Sequence, residues 1–218
     1  MRNKSELSEL NLDTIPITEI KDYNKIFNEI SEFLIKLKSV SQKWYNFFLV
    51  KINSGLDYTD LVNLKRCDLK ELNGYIVINI NRNKTKCETY SILTNKITLE
   101  LKKYLKGKKL NTEYLFTSEN NNTDKIKSMN PKSINQTIFK KINQKVNSKV
   151  LRSITNEILN LFGNLSQIEK DFYSKVWLGH KVSVHNKYTN KLRDISYFQT
   201  IFIENYENIF NQILGSEK

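Results

Sequence analysis

The chain predicts an α+β fold that is mainly α: a helical bundle carrying a small antiparallel β-sheet. Three observations predict it. Apolar residues recur at helical spacing through most of the length, as in Ile26, Phe27, Ile30, Phe33, Leu34 and Leu37. One stretch alone changes period, where Tyr75-Ile76-Val77-Ile78-Asn79-Ile80 follows the turn signal Asn73-Gly74. Of 218 residues, 39% are hydrophobic and 11% aromatic, enough for a packed core.

Taken in order, residues 1–14 read as a polar segment. Pro16-Ile17-Thr18-Glu19 reads as a helix start with Thr18 as N-cap, followed by the periodic run to Leu37. Residues 42–53 form a second helix, ended by Ser54-Gly55, and residues 58–66 a short third one. Tyr75–Ile80 and Glu88–Leu93 make a hairpin around the basic turn Asn81–Lys86. Helix returns over 96–106, and Tyr114-Leu115-Phe116 suggests one more short strand. Pro131 restarts a helix to about Val146, Lys149 to Phe162 gives the next, and Ser166 to Trp177 another, with Ser166 and Glu169 at capping-box spacing. An amphipathic helix over about 194–214 closes the chain.

The charge is +12, from 35 Lys+Arg against 23 Asp+Glu, which points to a polyanionic partner, nucleic acid before an anionic membrane. No apolar run reaches membrane-spanning length, and the first residues lack the apolar core of a signal peptide. Cys67 and Cys87 have no Cys/His cluster around them, which argues against zinc and suits a reducing compartment. Alanine is absent while Lys, Asn and Ile abound, a usage that suggests an AT-rich genome. That fits the cytoplasm or nucleoid of a low-GC bacterium or a mobile element, or else an organelle.

One C-terminal stretch carries chemistry. Leu178-Gly179-His180 precedes Lys187-Tyr188-Thr189. A tyrosine has an unperturbed pKa near ~10 and becomes a credible nucleophile toward phosphate esters only beside cations and imidazoles. Upstream, Leu151-Arg152 offers the residue type that clamps phosphate bidentately.

Five segments in order resemble the catalytic domain of the tyrosine recombinases, the phage-integrase family. Ser54-Gly55-Leu56-Asp57-Tyr58-Thr59-Asp60-Leu61 is similar to the family's T-G-L-R-x-x-E-L. Asn83-Lys84-Thr85-Lys86 is similar to its K-T-G-K hairpin, and Lys149-Val150-Leu151-Arg152 stands where the family has H-x-L-R. Leu178-Gly179-His180 and Lys187-Tyr188-Thr189 match the last two motifs. The resemblance covers residues 15–192, with 193–218 as the C-terminal amphipathic helix.

The resemblance implies metal-free and cofactor-free breakage and rejoining of double-stranded DNA through a 3′-phosphotyrosyl intermediate. Tyr188 is then the nucleophile, Arg152 and His180 hold the scissile phosphate, Lys84 or Lys86 protonates the leaving oxygen, and Lys149 replaces a histidine. Arg82, Lys86, Lys181 and Lys187 are expected on the DNA. Self-association on DNA as a dimer or tetramer is implied, with the C-terminal helix docked either on its own core or on a neighbour. Too few residues precede the resemblance for a separate clamp domain, so an accessory DNA-binding protein is a candidate partner.

Three departures bear on activity. Asp57 stands where the family has its first arginine, and Arg82 is the candidate replacement cation. Lys149 stands for the histidine of H-x-L-R. His180 and Tyr188 are eight residues apart where the family shows nine, which turns a helical tyrosine by about 100° and leaves His185 able to share the histidine's work. Asp57 also favours an alternative, a degenerate recombinase fold that binds DNA without cutting it.

Overall fold

The computed structural model describes residues 23–106, 113–118, 128–161, 165–181 and 199–214. The helix start at Thr18, His185, Lys187 and Tyr188 lie outside them. Over the described residues the expected architecture is observed, a mainly helical fold with one three-stranded antiparallel sheet.

Helix α2 (Gln42–Ser54) is the axis of the molecule. Every residue from Trp44 to Ser54 is buried, because the helix is apolar around most of its circumference and is covered on all sides. It packs against α1 (Tyr23–Val40), α4 (Asn95–Lys106), α6 (Ser148–Asn160) and strand β3 (Glu88–Ile92). Only Ser41 separates α1 from α2, and its extended backbone lets its hydroxyl accept from Trp44 N–H. Gly55 ends α2 with φ 65°, a left-handed conformation that suits glycine.

The sheet has order β1-β2-β3, with β1 (Leu69–Leu72) and β2 (Tyr75–Asn81) pairing Leu72 with Tyr75 across the Asn73-Gly74 turn. Both turn residues have positive φ, 47° and 87°, as a two-residue hairpin demands. Strand β1 escaped the sequence reading because Lys70 and Glu71 at its centre are exposed and it holds no β-branched residue. Tyr114 makes only an isolated bridge to Lys65, not the strand its neighbours suggested.

The third helix is shorter than expected: α3 (Tyr58–Val62) stops at Asn63, and a separate 3₁₀ turn covers Arg66–Asp68. Helix α5 (Ile134–Ile142) likewise ends early, since Asn143 adopts φ 52° and turns the chain well before Val146. Asn147 then caps α6 by accepting from Lys149 N–H at 2.9 Å. The Ser166/Glu169 capping box opens α7 (Gln167–Leu178), and Gly179 closes it with φ 61°.

Residues 199–214 pack onto the same core. Trp177 of α7 stacks on Phe202, and Tyr206 and Phe210 continue the row, with successive centroids 5.3 to 5.7 Å apart along Phe202–Tyr206–Phe210. Tyr206 Oη and Trp177 Nε1 both donate to the main-chain carbonyl of Asn53, at 2.8 and 2.9 Å. The helix is not regular there: Phe202–Glu207 is a π-turn, followed by α8 (Asn208–Ile213). Glu207 accepts from Tyr75 Oη and Asn95 N–H, tying this segment to the sheet and to α4.

Candidate phosphate site at the end of helix α7

The last carbonyls of a helix lack intrahelical partners, and those of α7 are met by the hairpin and by two arginines. Thr89 Oγ1 donates to Trp177 O, and Thr85 Oγ1 to Gly179 O at 2.8 Å. Leu178 O accepts twice, from Arg82 Nη1 at 2.9 Å and Arg152 Nη2 at 2.6 Å. Two guanidinium groups therefore meet on one carbonyl, at the helix terminus whose dipole favours cations.

Carboxylates and carbonyls fix each arginine further. Arg82 is only 2% exposed, so it is not a solvent-facing residue of the hairpin tip as its place in the basic turn suggested. Its Nε donates to Asp60 Oδ2 at 2.9 Å, and its Nη2 pairs with Asp57 Oδ2. Asp60 is itself buried and accepts from Asn83 N–H at 2.9 Å, which locks the strand end carrying Arg82. Arg152 Nη1 donates to Gly55 O, the carbonyl at the end of α2. Asp57 therefore pairs with the cation that stands beside Arg152 on the Leu178 carbonyl.

Glycine at 55 and at 179 is required by space as well as by φ. A Cβ on Gly179 would collide with the stem of Arg82, and one on Gly55 would meet Leu178. The Gly of the Gly-His pair thus lets α7 close onto Arg82.

His180 completes the cluster. Its Nε2 lies 3.1 Å from Arg152 Nη2, and since a guanidinium only donates, Nε2 accepts and the proton resides on Nδ1. Partial burial, with Arg152 and Arg82 beside it, lowers its pKa below the usual histidine value, so it is neutral at pH 7. Burial and the neighbouring Arg82 lower Arg152 to about 10, which leaves it protonated.

Among the expected site residues, Arg82, Arg152 and His180 converge. Lys84 and Lys86 are exposed on either side of Thr85, whose bond to Gly179 O holds the hairpin tip next to the Gly179-His180 pair. Lys149 is exposed at the start of α6, three residues before Arg152, and Lys181 is exposed directly after His180. Asp60 and Lys51 were missed. Asp60 stood in the quoted motif opposite the family's glutamate, and that was its only signal. Lys51 gave none, for a lysine in an apolar helix ordinarily reaches solvent. It is fully buried, with Nζ donating to Leu56 O at 2.7 Å. No group of three or more metal-ligating side chains occurs among the described residues, and none of their helices is long and apolar enough to cross a membrane.

No protein-family model and no curated protein matches the chain by sequence. Solved structures do match by fold. XerA recombinase superposes with TM-score 0.53 at 22% identity, covering 81% of this chain and 62% of its own. XerH recombinase in a post-cleavage complex with difH substrate gives 0.52 at 15%, covering 78% and 51%. A lambda integrase tetramer bound to a Holliday junction gives 0.51 at 14%, covering 72% and 46%. The fold is that of the tyrosine recombinase catalytic domain, and the chain spans between 46% and 62% of the length of these three proteins.

Proposed function

We propose that the chain breaks and rejoins double-stranded DNA by tyrosine attack, as a recombinase or integrase, and self-associates on its substrate. The observation that carries this reading is the convergence of Arg82, Arg152 and His180 at the end of α7, with His180 eight residues ahead of Tyr188. Arg152 and a neutral imidazole, beside an Arg82 paired with Asp57 and Asp60, are donors that suit a phosphodiester whose charge grows in the transition state. The fold supports the same reading, and so does the charge of +12.

In the proposed step Tyr188 Oη gives up its proton to solvent and bonds to the scissile phosphorus, and the bond to the 5′-oxygen breaks. The products are a 3′-phosphotyrosine and a 5′-hydroxyl. Lys84 or Lys86, beside the Thr85 anchor, delivers the proton to the leaving oxygen. Arg152 and His180 hold the non-bridging oxygens, and Arg82 stands beside Arg152 on the Leu178 carbonyl. Attack by the 5′-hydroxyl of another strand reverses the step, so no nucleotide is consumed. Lys149, Lys181 and Lys187 contact the flanking backbone, and the 15–192 segment is the catalytic unit.

A duplex nicked next to the scissile phosphate traps the covalent intermediate. The expected outcome is a protein–DNA adduct that disappears in Tyr188→Phe and falls ~10²- to 10³-fold in Arg152→Ala. One observation favours the second reading, a DNA-binding fold without cleavage: Arg82 already has Asp57, Asp60 and Leu178 O as acceptors. Salt-sensitive duplex binding with no adduct in the unaltered protein would establish that reading and exclude the first.

A further inference from the structure

We infer that Lys51 is a positioning residue of the arginine cradle: its side-chain nitrogen, by holding the Leu56 carbonyl, fixes the turn from which Gly55 and Asp57 hold the two arginines, and its proton sets the charge the cradle presents to a phosphate. This rests on reading the cradle as a phosphate site.

The geometry is continuous from Lys51 to both arginines. Lys51 lies one turn before the end of α2, and its own carbonyl accepts from Gly55 N–H at 2.9 Å. Its Nζ reaches over the turn to Leu56 O at 2.7 Å, while Leu56 N–H donates to Ser54 Oγ. Leu56 is thus held at both its main-chain groups. The residue before it gives its carbonyl to Arg152, and the residue after it gives its carboxylate to Arg82. A methylene stem alone would leave Leu56 O buried without that donor and the two flanking residues free to shift.

The charges around Lys51 make its proton consequential. Asp57 faces it from the turn, Asp60 from α3, Arg82 from the end of β2 and Arg152 from α6, and the Tyr58 ring lies 5.8 Å from Nζ. With Lys51 protonated, three cations face two carboxylates; without that proton the cluster is balanced, since His180 is neutral. Complete burial, reinforced by the two arginines and opposed by Asp57, brings the Lys51 pKa down to about 7. The amine still donates to Leu56 O when neutral, so the turn persists and only the charge changes. A cradle of this kind attracts a phosphate more strongly below neutrality than above it.

The test is duplex affinity at constant ionic strength from about pH 6 to about pH 9, for the unaltered chain, Lys51→Met, Lys51→Arg and Arg152→Gln. The unaltered chain loses affinity about tenfold as pH rises through neutrality. Lys51→Met lacks that step and stays at the weak level throughout. Lys51→Arg, which cannot lose its proton, stays at the tight level. A step of undiminished size in Lys51→Met overturns the inference, as does an Arg152→Gln protein that binds as tightly as the unaltered one. If Lys51→Met does not fold, an NMR titration of the Lys51 side chain in the unaltered protein decides, and no change near neutrality overturns the inference. Absence of a covalent adduct with the pH step intact removes strand cleavage and leaves the role of Lys51 supported.

Discussion

Helix α7 is held on one side by rings and on the other by charges, and both grips end on the last turn of α2. On the first side Trp177, Phe202, Tyr206 and Phe210 are at most 2% exposed and stack in a row, with Trp177 and Tyr206 sharing Asn53 O. On the second, Arg82, Arg152, Asp57 and Asp60 close around Leu178 O and Gly55 O. Apolar area is a non-directional adhesive that holds a helix in place. Charged hydrogen bonds contribute less net stability after desolvation, but they fix where each donor points. The ring side therefore holds the fold, and the charged side is the one on which the proposed phosphate contact depends.

Substitutions on the two sides should separate stability from DNA handling. The largest loss of stability is expected from Trp177→Ala, about 3–5 kcal/mol in urea unfolding, from the emptied stack and the lost bond to Asn53 O. The salt dependence of its DNA binding stays unchanged wherever it remains folded. Asp60→Ala is expected to cost ~3 kcal/mol, because it leaves the buried Arg82 Nε and Asn83 N–H without their acceptor, with Asp57 alone still paired to Arg82. Unlike Trp177→Ala it should also weaken adduct formation among folded molecules, measured on the nicked duplex at matched folded fraction.

Lys51 gives a pH-dependent arm to the same comparison. Its folded pKa of about 7 lies below the unfolded value, so between those two values the unfolded chain binds more protons and stability rises with pH. Urea unfolding near pH 7 and near ~9 should show that rise in the unaltered chain and its absence in Lys51→Met. The smallest effect is expected from Tyr206→Phe, about 1 kcal/mol, since one hydrogen bond is removed while the ring stack and the Trp177 bond to Asn53 O remain. A change in DNA affinity in Tyr206→Phe would blur the division between the two sides.

Much of the frame was legible because it obeys local rules. The periodic apolar residues of α1 are the buried ones, the Ser166/Glu169 capping box opens α7, and Asn73-Gly74 turns the hairpin. Gly55 and Gly179, read from motif position, prove to be places where a side chain would strike Leu178 or Arg82. The failures have physical causes. Helix α5 ended at a left-handed asparagine, a conformation that composition does not announce. Arg82 was placed in the basic hairpin tip because the sequence shows its lysine neighbours and not the two aspartates, 25 and 22 residues upstream, that draw it inward. Lys51 was hidden for the same reason, since its partner is a main-chain carbonyl created only when the chain turns at Gly55.

The shared carbonyl of Leu178 has a thermodynamic consequence. Its oxygen has two lone pairs, and the two guanidinium groups occupy both. Loss of either arginine relieves like-charge repulsion for the other and lets it settle differently on the same oxygen. The two positions therefore form one energetic unit, and the free energies of single replacements will not sum to that of the double. A double-mutant cycle on Arg82 and Arg152 should return a coupling of about 0.5–3 kcal/mol. The coupling joins two arginines that stand 70 positions apart in the sequence.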